Sequence, residues 1–342
     1  MTHRVLVVGA GWFARFHLEG WQAAGAQMVG LCDLDRARAN GLAAHFLVGA
    51  TGDDLDRLID QTRPDLVDVV LPPAAQEPVI RTCIAQGLPV VCQKPFGEDY
   101  RSAKALARAA ADAGITLVVH ENFRFAPWFR EARRLIEDGR FGRLLGVSFR
   151  LRPGDGQGPR AYLDRQPSFQ TMPRLLVRET AVHFIDSFRY LCGEVRAVTA
   201  RLRRLNPHIA GEDAGFIHFE FDDDVTGLFD GNRLNDHSAS DPRRTMGEMW
   251  LEGERGVLRL DGDARLWWKP HRQDEREHAY RVGDGAFGGA VTALQSHVLS
   301  HLQNGTPLEN RCDDYLTNIR VQDAVYASHA AGRRIDLAHF TP

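Results

Sequence analysis

Three groups of residues carry most of the chemistry open to this chain. Gln93-Lys94-Pro95 stands at the exit of the apolar run Leu88-Pro89-Val90-Val91-Cys92. A lysine at a strand exit offers a cationic donor that can stabilise a developing oxyanion or relay a proton. Glu179 and His183 are spaced i, i+4 and so share a helix face. A carboxylate one turn away can orient the imidazole and tune it towards neutrality, as a general base requires. The third group is the glycine turn Gly9-Ala10-Gly11-Trp12-Phe13-Ala14, preceded by Val5-Leu6-Val7-Val8. A strand, a glycine turn and a helix start cradle a pyrophosphate through backbone N–H groups and the helix dipole. Asp33 ends Gly30-Leu31-Cys32-Asp33, about twenty residues on, where a carboxylate accepts from the adenosine ribose hydroxyls. It also repels a 2′-phosphate, which favours NAD over NADP, although Arg36 and Arg38 stand close enough to blur that preference. The combination predicts a nicotinamide enzyme with a lysine at its substrate.

Each group has a plainer reading. Lys94 could be a solvated or salt-bridged lysine, and Asp33 a helix N-cap. His183 could be a hydrogen-bonded core residue beside the apolar stripe Val182, Ile185, Phe188 and Leu191. His297 and His301 are also spaced i, i+4, but no third ligand or catalytic glutamate accompanies them. They read as a structural pair, and no metal site is expected. His120-Glu121 lacks the second histidine of a metalloprotease helix. Trp267-Trp268 falls in a strand, where one indole must face out, which points to a subunit interface.

These side chains need elements to position them. Apolar strand candidates at 4–8, 28–32, 66–71, 89–92 and 115–119 alternate with helical stretches near 12–24, 35–46, 53–62, 76–86 and 99–113. Near-continuous apolar strands joined by helical crossovers imply a parallel sheet covered on both faces, doubly wound and Rossmann-like. The pattern changes after His120. Pro127 and Gly139 bracket a helix, a strand follows near 144–151, and Arg152-Pro153-Gly154-Asp155-Gly156-Gln157-Gly158-Pro159 interrupts. A helix over 178–191 precedes strands at 195–204, 214–221, 225–232, 246–252, 256–260 and 265–268, and late helices run over 288–303 and 313–331. This is an α+β domain with a mainly antiparallel sheet. The expected division is an NAD-binding domain over 1–122 and a substrate-binding and oligomerisation domain over 123–342.

Composition narrows the class. A chain of 342 residues favours two domains. With 44% hydrophobic and 25% charged residues it reads as an ordinary globular protein. A net charge of −3 leaves no electrostatic footprint for nucleic acid or an acidic membrane. No run approaches the roughly eighteen apolar residues of a membrane helix, and the N-terminus enters a strand directly, so no secretory signal is expected. Cys32, Cys83, Cys92, Cys192 and Cys312 show neither paired nor metal-type spacing. Reduced thiols in a cytoplasmic protein are the expectation.

Taken together, the glycine turn 9–14, Asp33, the Pro72-Pro73 strand end, Gln93-Lys94-Pro95, Asn122-Phe123-Arg124-Phe125-Ala126-Pro127, Glu179 to His183 and the late Arg333-Arg334-Ile335 resemble one family. It is the glucose–fructose oxidoreductase/inositol dehydrogenase (Gfo/Idh/MocA) family, and the resemblance covers nearly the whole length. In that family the lysine and the helix histidine meet the reacting hydroxyl at the nicotinamide, so it implies those roles for Lys94 and His183. It implies a cofactor site at Gly9, Gly11, Trp12, Phe13, Ala14, Asp33, Pro72, Gln76, Gln93, Lys94 and Asn122. Gln93 stands where the family usually has glutamate, Glu179 where aspartate is usual, and Gln76 where many members have histidine. The runs Val91 to Pro95, His120 to Arg124, Arg152 to Tyr162 and Glu179 to His183 resemble more narrowly a D-apiose dehydrogenase branch. That branch oxidises a branched pentose at its anomeric carbon to a lactone.

The resulting expectation is an NAD-dependent sugar or polyol dehydrogenase. His183 acts as general base oriented by Glu179, and Lys94 stabilises the same oxygen or relays its proton. The sequence leaves open which of the two takes the proton. Asn122, Arg124, Arg152, Gln157 and Tyr162 are candidate hydroxyl-binding residues, alongside Lys94, Glu179 and His183. The partners expected are a small sugar and further copies of the chain, as a homodimer or homotetramer through the C-terminal sheet. An inositol or polyol dehydrogenase giving a ketone, an imine- or biliverdin-reductase-like enzyme and a non-catalytic sugar or dinucleotide sensor are the alternatives. Lys94, Glu179 and His183 together argue against the sensor, which needs no proton acceptor.

Overall fold

The computed structural model describes residues 2–283 and 286–342. The chain divides into two units, Met1–Asn122 with Val291–Ile319 and Phe123–Ala290 with Arg320–Pro342.

In the first unit β1 (Arg4–Val8), α1 (Ala14–Ala23), β2 (Gln27–Cys32), α2 (Arg36–Phe46), β3 (Thr51–Gly52), α3 (Leu55–Thr62), β4 (Leu66–Val69), α4 (Pro73–Ala85), β5 (Val90–Gln93), α5 (Tyr100–Asp112) and β6 (Leu117–His120) alternate. The six strands form one sheet in the order β3-β2-β1-β4-β5-β6, and neighbouring strands pair in parallel. Val5, Leu6, Val7, Val90, Val91 and Cys92 are fully buried, as strands covered on both faces must be. Strand order reverses between β1 and β4, and ligands of such sheets bind at that switch, outside the carboxyl ends. Short polar caps stop and start the crossovers. Asp35, Asp54 and Asp99 accept the backbone N–H of Arg38, Arg57 and Ser102 at the starts of α2, α3 and α5.

The second unit contains α6 (Pro127–Glu137), β7 (Leu144–Leu151), α7 (Val182–Cys192), β8 (Ala197–Arg203), β9 (Ala214–Glu220), β10 (Thr226–Asn232), β11 (Gly247–Gly253), β12 (Gly256–Leu260), β13 (Leu266–Pro270), β14 (Arg276–His278) and β15 (Ile335–Asp336). Its sheet runs β14-β13-β12-β11-β7-β10-β9-β8-β15. Among the described residues only β7 and β10 pair in parallel, and the other pairs of this sheet are antiparallel. α7 covers one face through Phe184, whose ring lies 4.1 Å from Phe149 and 5.1 Å from Phe229.

Two late helices, α8 (Ala290–Asn304) and α9 (Cys312–Ala331), complete the chain. The expected second domain ran unbroken over 123–342, whereas 291–319 belongs with the first unit. The reason is specific packing. A Cβ on Gly20 of α1 would come within 2.0 Å of the Gln295 side chain, and Gln295 donates to the His17 carbonyl at 3.1 Å. The loop before α9 seals the edge of β6, with Val119 N–H donating to the Asn310 carbonyl at 2.9 Å. Among the described residues no helix is long and apolar enough to cross a membrane.

Candidate active site

The candidate residues fall on both units. In the first unit Gly9 has φ +104°, and a Cβ there would lie 2.3 Å from the Val70 carbonyl oxygen, so the turn itself requires glycine. Gly11 is different. It is exposed, and a Cβ on it would meet nothing within 4 Å. That open backbone is what a phosphate needs for close approach. α1 begins at Ala14 with Phe13 as a cap that supplies no side-chain acceptor; the Ala14 and Phe16 N–H groups donate to the Gly11 and Phe13 carbonyls at 3.0 and 3.1 Å, so the attraction this end offers an anion is that of the helix dipole. Ala14 is itself buried beneath the turn.

Asp33 lies at the exit of β2 and faces this turn. Its Oδ2 accepts the Ala10 N–H at 2.6 Å and its Oδ1 accepts the Asp35 N–H at 2.8 Å. The N-cap of α2 is Asp35, so the capping explanation of Asp33 does not hold. Each carboxylate oxygen keeps lone-pair capacity for a ribose hydroxyl. Arg36 and Arg38 pair with Asp53 at 3.1 Å and Asp35 at 3.4 Å, on the exposed surface. Trp12 is 40% exposed and meets Phe16 edge-on at 5.1 Å. Pro72 is exposed at the start of α4, and Asn122 is buried past the exit of β6. The glycine turn, helix start and acidic strand end together fit a dinucleotide.

Lys94 leaves β5 half-buried, through a cis bond to Pro95. Its backbone N–H donates to Gln93 Oε1 at 2.7 Å. Gln93 Nε2 lies 3.0 Å from His17 Nε2, and His17 Nδ1 lies 2.7 Å from Asp68 Oδ2, which also accepts the Trp21 indole N–H at 2.6 Å. Gln76 was expected beside the cofactor. It is instead fully buried, donating to the carbonyls of Gln93, Leu71 and Pro95 and accepting the Gly97 N–H. An amide spent this way holds the lysine turn rather than a ligand.

In the second unit His183 sits in the first turn of α7, 5% exposed, with its ring stacked on Phe123 at 3.8 Å and 3°. Glu179 falls in a π-helical turn, Leu176–Ala181, that runs into α7. Such wide turns insert a residue and recur at functional sites. The expected regular α-helix over 178–191 is therefore corrected to a π-turn followed by an α-helix. Glu179 Oε2 accepts the Thr180 hydroxyl at 2.8 Å and faces Arg233 at 3.6 Å. Arg233, only 1% exposed, donates to Thr180 Oγ1 at 2.6 Å and forks onto Asp155 at 3.1 and 2.7 Å. Arg165 reaches the same carboxylate at 3.0 Å. Burial opposes the Arg233 charge, but Asp155, Tyr162 and Glu179 outweigh it and hold the guanidinium above its ordinary pKa.

The structure gives the expected hydroxyl-binding residues other contacts. Arg124 forks onto buried Asp186 at 2.7 and 2.6 Å. Arg152 donates to the Leu151 and Asp230 carbonyls and to Asp230 Oδ2 at 2.6 Å. Exposed Gln157 donates to the Leu234 carbonyl. Tyr162 is 6% exposed within an apolar cluster of Ala161, Phe169, Leu175 and Ile209. His297 accepts the Glu309 N–H and His301 bonds the Thr306 carbonyl, which accounts for that pair structurally.

The sequence reading missed four supporting residues, His17, Asp68, Asp155 and Arg233. Asp68 carried a usable signal, since an ionisable residue within Leu66-Val67-Asp68-Val69 must find a buried partner. Arg233 and Asp155 are 78 residues apart and carried none.

A glycine-turn Rossmann unit with an acidic β2 exit, followed by an open-sheet unit, defines a dinucleotide-dependent oxidoreductase class. The chain belongs to the Gfo/Idh/MocA oxidoreductase family. Residues 3–121 match its "NAD-binding Rossmann fold" model and residues 129–259 match its C-terminal domain model. NAD is the cofactor of that fold. The chain is 29% identical to a D-apiose dehydrogenase of Paraburkholderia graminis, over 97% of this chain and 88% of that protein. It is 26% identical to a D-apiose dehydrogenase of Rhizobium rhizogenes, over 97% and 96%. An inositol 2-dehydrogenase of Saccharopolyspora erythraea is 30% identical over 58% of this chain and 56% of its own. Among solved structures, an Agrobacterium radiobacter oxidoreductase in complex with NAD+, L-tartaric acid and magnesium superposes with TM-score 0.90 at 25% identity, covering 99% of both chains.

Proposed function

We propose that this protein oxidises a sugar hydroxyl with NAD, acting on an aldose of the D-apiose type at its anomeric carbon to give a lactone. The observation that carries this reading is the similarity to two D-apiose dehydrogenases over 97% of the chain. The nicotinamide, when bound, supplies the two-electron acceptor. The chain's own residues manage the proton. His183, ring-stacked on Phe123, accepts the proton of the reacting hydroxyl through its imidazole. Lys94 donates a hydrogen bond to the same oxygen and stabilises its growing negative charge. Glu179 lies in the π-turn before His183 and is faced at 3.6 Å by Arg233, which follows β10. Asp33 accepts from the adenosine ribose, and Gly11 admits the pyrophosphate to the backbone.

A polyol reading is favoured by the inositol dehydrogenase similarity, which covers 58% of the chain. The two differ in product, because oxidation at an anomeric carbon gives a lactone that hydrolyses to an acid, while a ring alcohol gives a ketone. NADH formation should be measured across pentoses, hexoses and inositols, with hydroxylamine trapping of the lactone. Turnover confined to inositols with no trapped lactone would sink the first reading.

We also infer self-association through the exposed face of the second unit's sheet. A continuous row of cross-strand neighbours, His218, Leu228, Ser148, Trp250, Arg259 and Trp267, crosses it. Leu228 is 42% exposed and Phe216 beside it 43%. A partly exposed, partly apolar face of this kind suits a second copy of itself. Sedimentation velocity of Leu228→Asp should report a smaller species than the parent.

A further inference from the structure

We propose that His17 and Gln93 are positioning residues that aim Lys94, through a buried hydrogen-bond chain running from Asp68 to the Lys94 amide. The inference rests on Lys94 acting at the substrate, as proposed above.

The direction of every bond in the chain follows from one contact. Lys94 has a backbone N–H, which can only donate, so the Gln93 atom it meets at 2.7 Å is the carbonyl oxygen. That leaves the Gln93 NH2 pointing at His17, 3.0 Å away. His17 Nε2 must then accept, which places the ring proton on Nδ1, where Asp68 Oδ2 accepts it at 2.7 Å. The wire therefore carries a single formal charge, on Asp68, which the Trp21 indole N–H also solvates at 2.6 Å. His17 and Asp68 are fully buried, and Gln93 is 9% exposed. Also facing the His17 ring are Phe13, the cap of its own helix, at 5.4 Å, and His120 on β6 at 4.1 Å between centroids. Gln295 of α8 holds the His17 carbonyl.

The chain fixes more than a side chain. Gln76 clamps the Gln93 and Pro95 carbonyls on either side of Lys94, while Gln93 clamps the Lys94 N–H. Backbone polar groups flanking the lysine are thus held by buried side chains on α4, β5 and, through Gln93, α1. The direction in which the Lys94 side chain leaves the strand is determined by that clamp. A loss of aim of about 1 Å at a reacting group can cost on the order of a hundredfold in rate.

Gln93→Met keeps side-chain length and volume but removes both hydrogen bonds, and leaves His17 paired to Asp68. It should lower kcat by roughly ten- to a hundredfold while NAD affinity, read by quenching of protein fluorescence, changes by less than about threefold. Gln93→Glu keeps an acceptor for the Lys94 amide but loses the donor to His17 Nε2, and should lower kcat less than Gln93→Met does. In the parent, 15N spectra of labelled histidine should show His17 with its proton on Nδ1. Lys94→Ala is measured alongside: if it keeps normal turnover, the lysine reading itself fails. If Lys94→Ala collapses while Gln93→Met turns over normally, the positioning role is overturned. A parallel fall of kcat, NAD affinity and melting temperature in Gln93→Met, or a His17 proton on Nε2, overturns it as well.

Discussion

The groups behind Lys94 and the groups behind Glu179 solve the same problem with opposite chemistry. In the first unit the support is an imidazole and two amides ending on one carboxylate, Asp68. In the second it is Arg233 and Arg165 on Asp155, with Glu179 beside Arg233. A neutral chain carries a small desolvation cost and fixes geometry through bond direction. A charged cluster fixes geometry more firmly, but each member depends on the others, because a lone buried ion is costly. The contrast suits the two tasks. On the proposed reading Lys94 brings a cation to the substrate on a support whose formal charge is Asp68 alone, whereas Glu179 is itself an anion and is faced by Arg233 at 3.6 Å.

The largest expected effects are at the two residues proposed to meet the substrate. His183→Ala should lower turnover by roughly two to four orders of magnitude, with a residual rate that rises with pH as hydroxide replaces the base. Lys94→Ala should lower it by on the order of a hundredfold, without the rise at high pH. Steady-state kinetics from pH 6 to pH 10 separates the two. Parallel profiles in the variants would remove the division of labour between base and cation.

The charged cluster is tested at Arg233. Arg233→Met removes a fully buried cation and leaves the Asp155 carboxylate, with Glu179 behind it, short of positive charge. The expected cost is about 3–5 kcal/mol of stability, measured by denaturant titration. Adding Asp155→Leu should restore part of that loss, since both ends of the pair are then apolar. A single variant that loses less than about 1 kcal/mol would show that the cluster behaves as a surface pair.

How much of this was readable beforehand depended on whether the signal was local. The parallel sheet was legible because each strand is a short apolar run between helical stretches. β7 and β12 fall at their expected bounds, Leu144–Leu151 and Gly256–Leu260. β3, β14 and β15 were missed, being edge strands of two or three residues such as Arg276-Glu277-His278 with no apolar period. The π-turn leaves no mark in Leu-Val-Arg-Glu-Thr-Ala, because hydrogen-bond slippage depends on packing. The return of 291–319 to the first unit was hidden for a similar reason: a helix sequence states its apolar face, not its partner. Lys94, His183 and Asp33 were proposed from position along the chain alone. Arg124, Arg152 and Gln157 read as sugar donors only because their partners, Asp186, Asp230 and the Leu234 carbonyl, lie 62, 78 and 77 residues away.

Asp33 gives a smaller effect that belongs to the cofactor alone. Asp33→Ser should weaken NAD by roughly 1–3 kcal/mol, because a charged acceptor for the ribose is lost. It also releases the Ala10 N–H that now donates to Oδ2 at 2.6 Å, so part of the loss comes from the turn itself. Selectivity should move towards NADP, since the repulsive carboxylate is gone and Arg36 and Arg38 are held only by exposed pairs. Titration with both cofactors decides it. A parent enzyme that already prefers NADP would mean that the arginines, not Asp33, set the choice.

Tyr162 gives the smallest effect, and it separates a core residue from a sugar ligand. Its hydroxyl has no hydrogen-bond partner among the described residues, and it lies against the backbone of Gly156, where a Cβ would approach it to 2.7 Å. Burial, the largest influence, pushes the phenol up to about 12 from an ordinary 10.0, although the nearby Arg233 charge pulls the other way. A folded-state value above the unfolded one means the folded protein holds the proton longer. The contribution to stability is therefore complete below about pH 10 and is lost as pH climbs to about 12. Tyr162→Phe removes the titrating group without removing a hydrogen bond. It should melt within a degree or two of the parent at pH 8, since surface-neutral and isosteric changes cost about 0.5 kcal/mol or less. At pH 10.5 it should melt higher than the parent, because its unfolded state gains no phenolate there. KM for the best sugar should not move. A tenfold rise in KM at pH 8 would instead place the hydroxyl on the substrate.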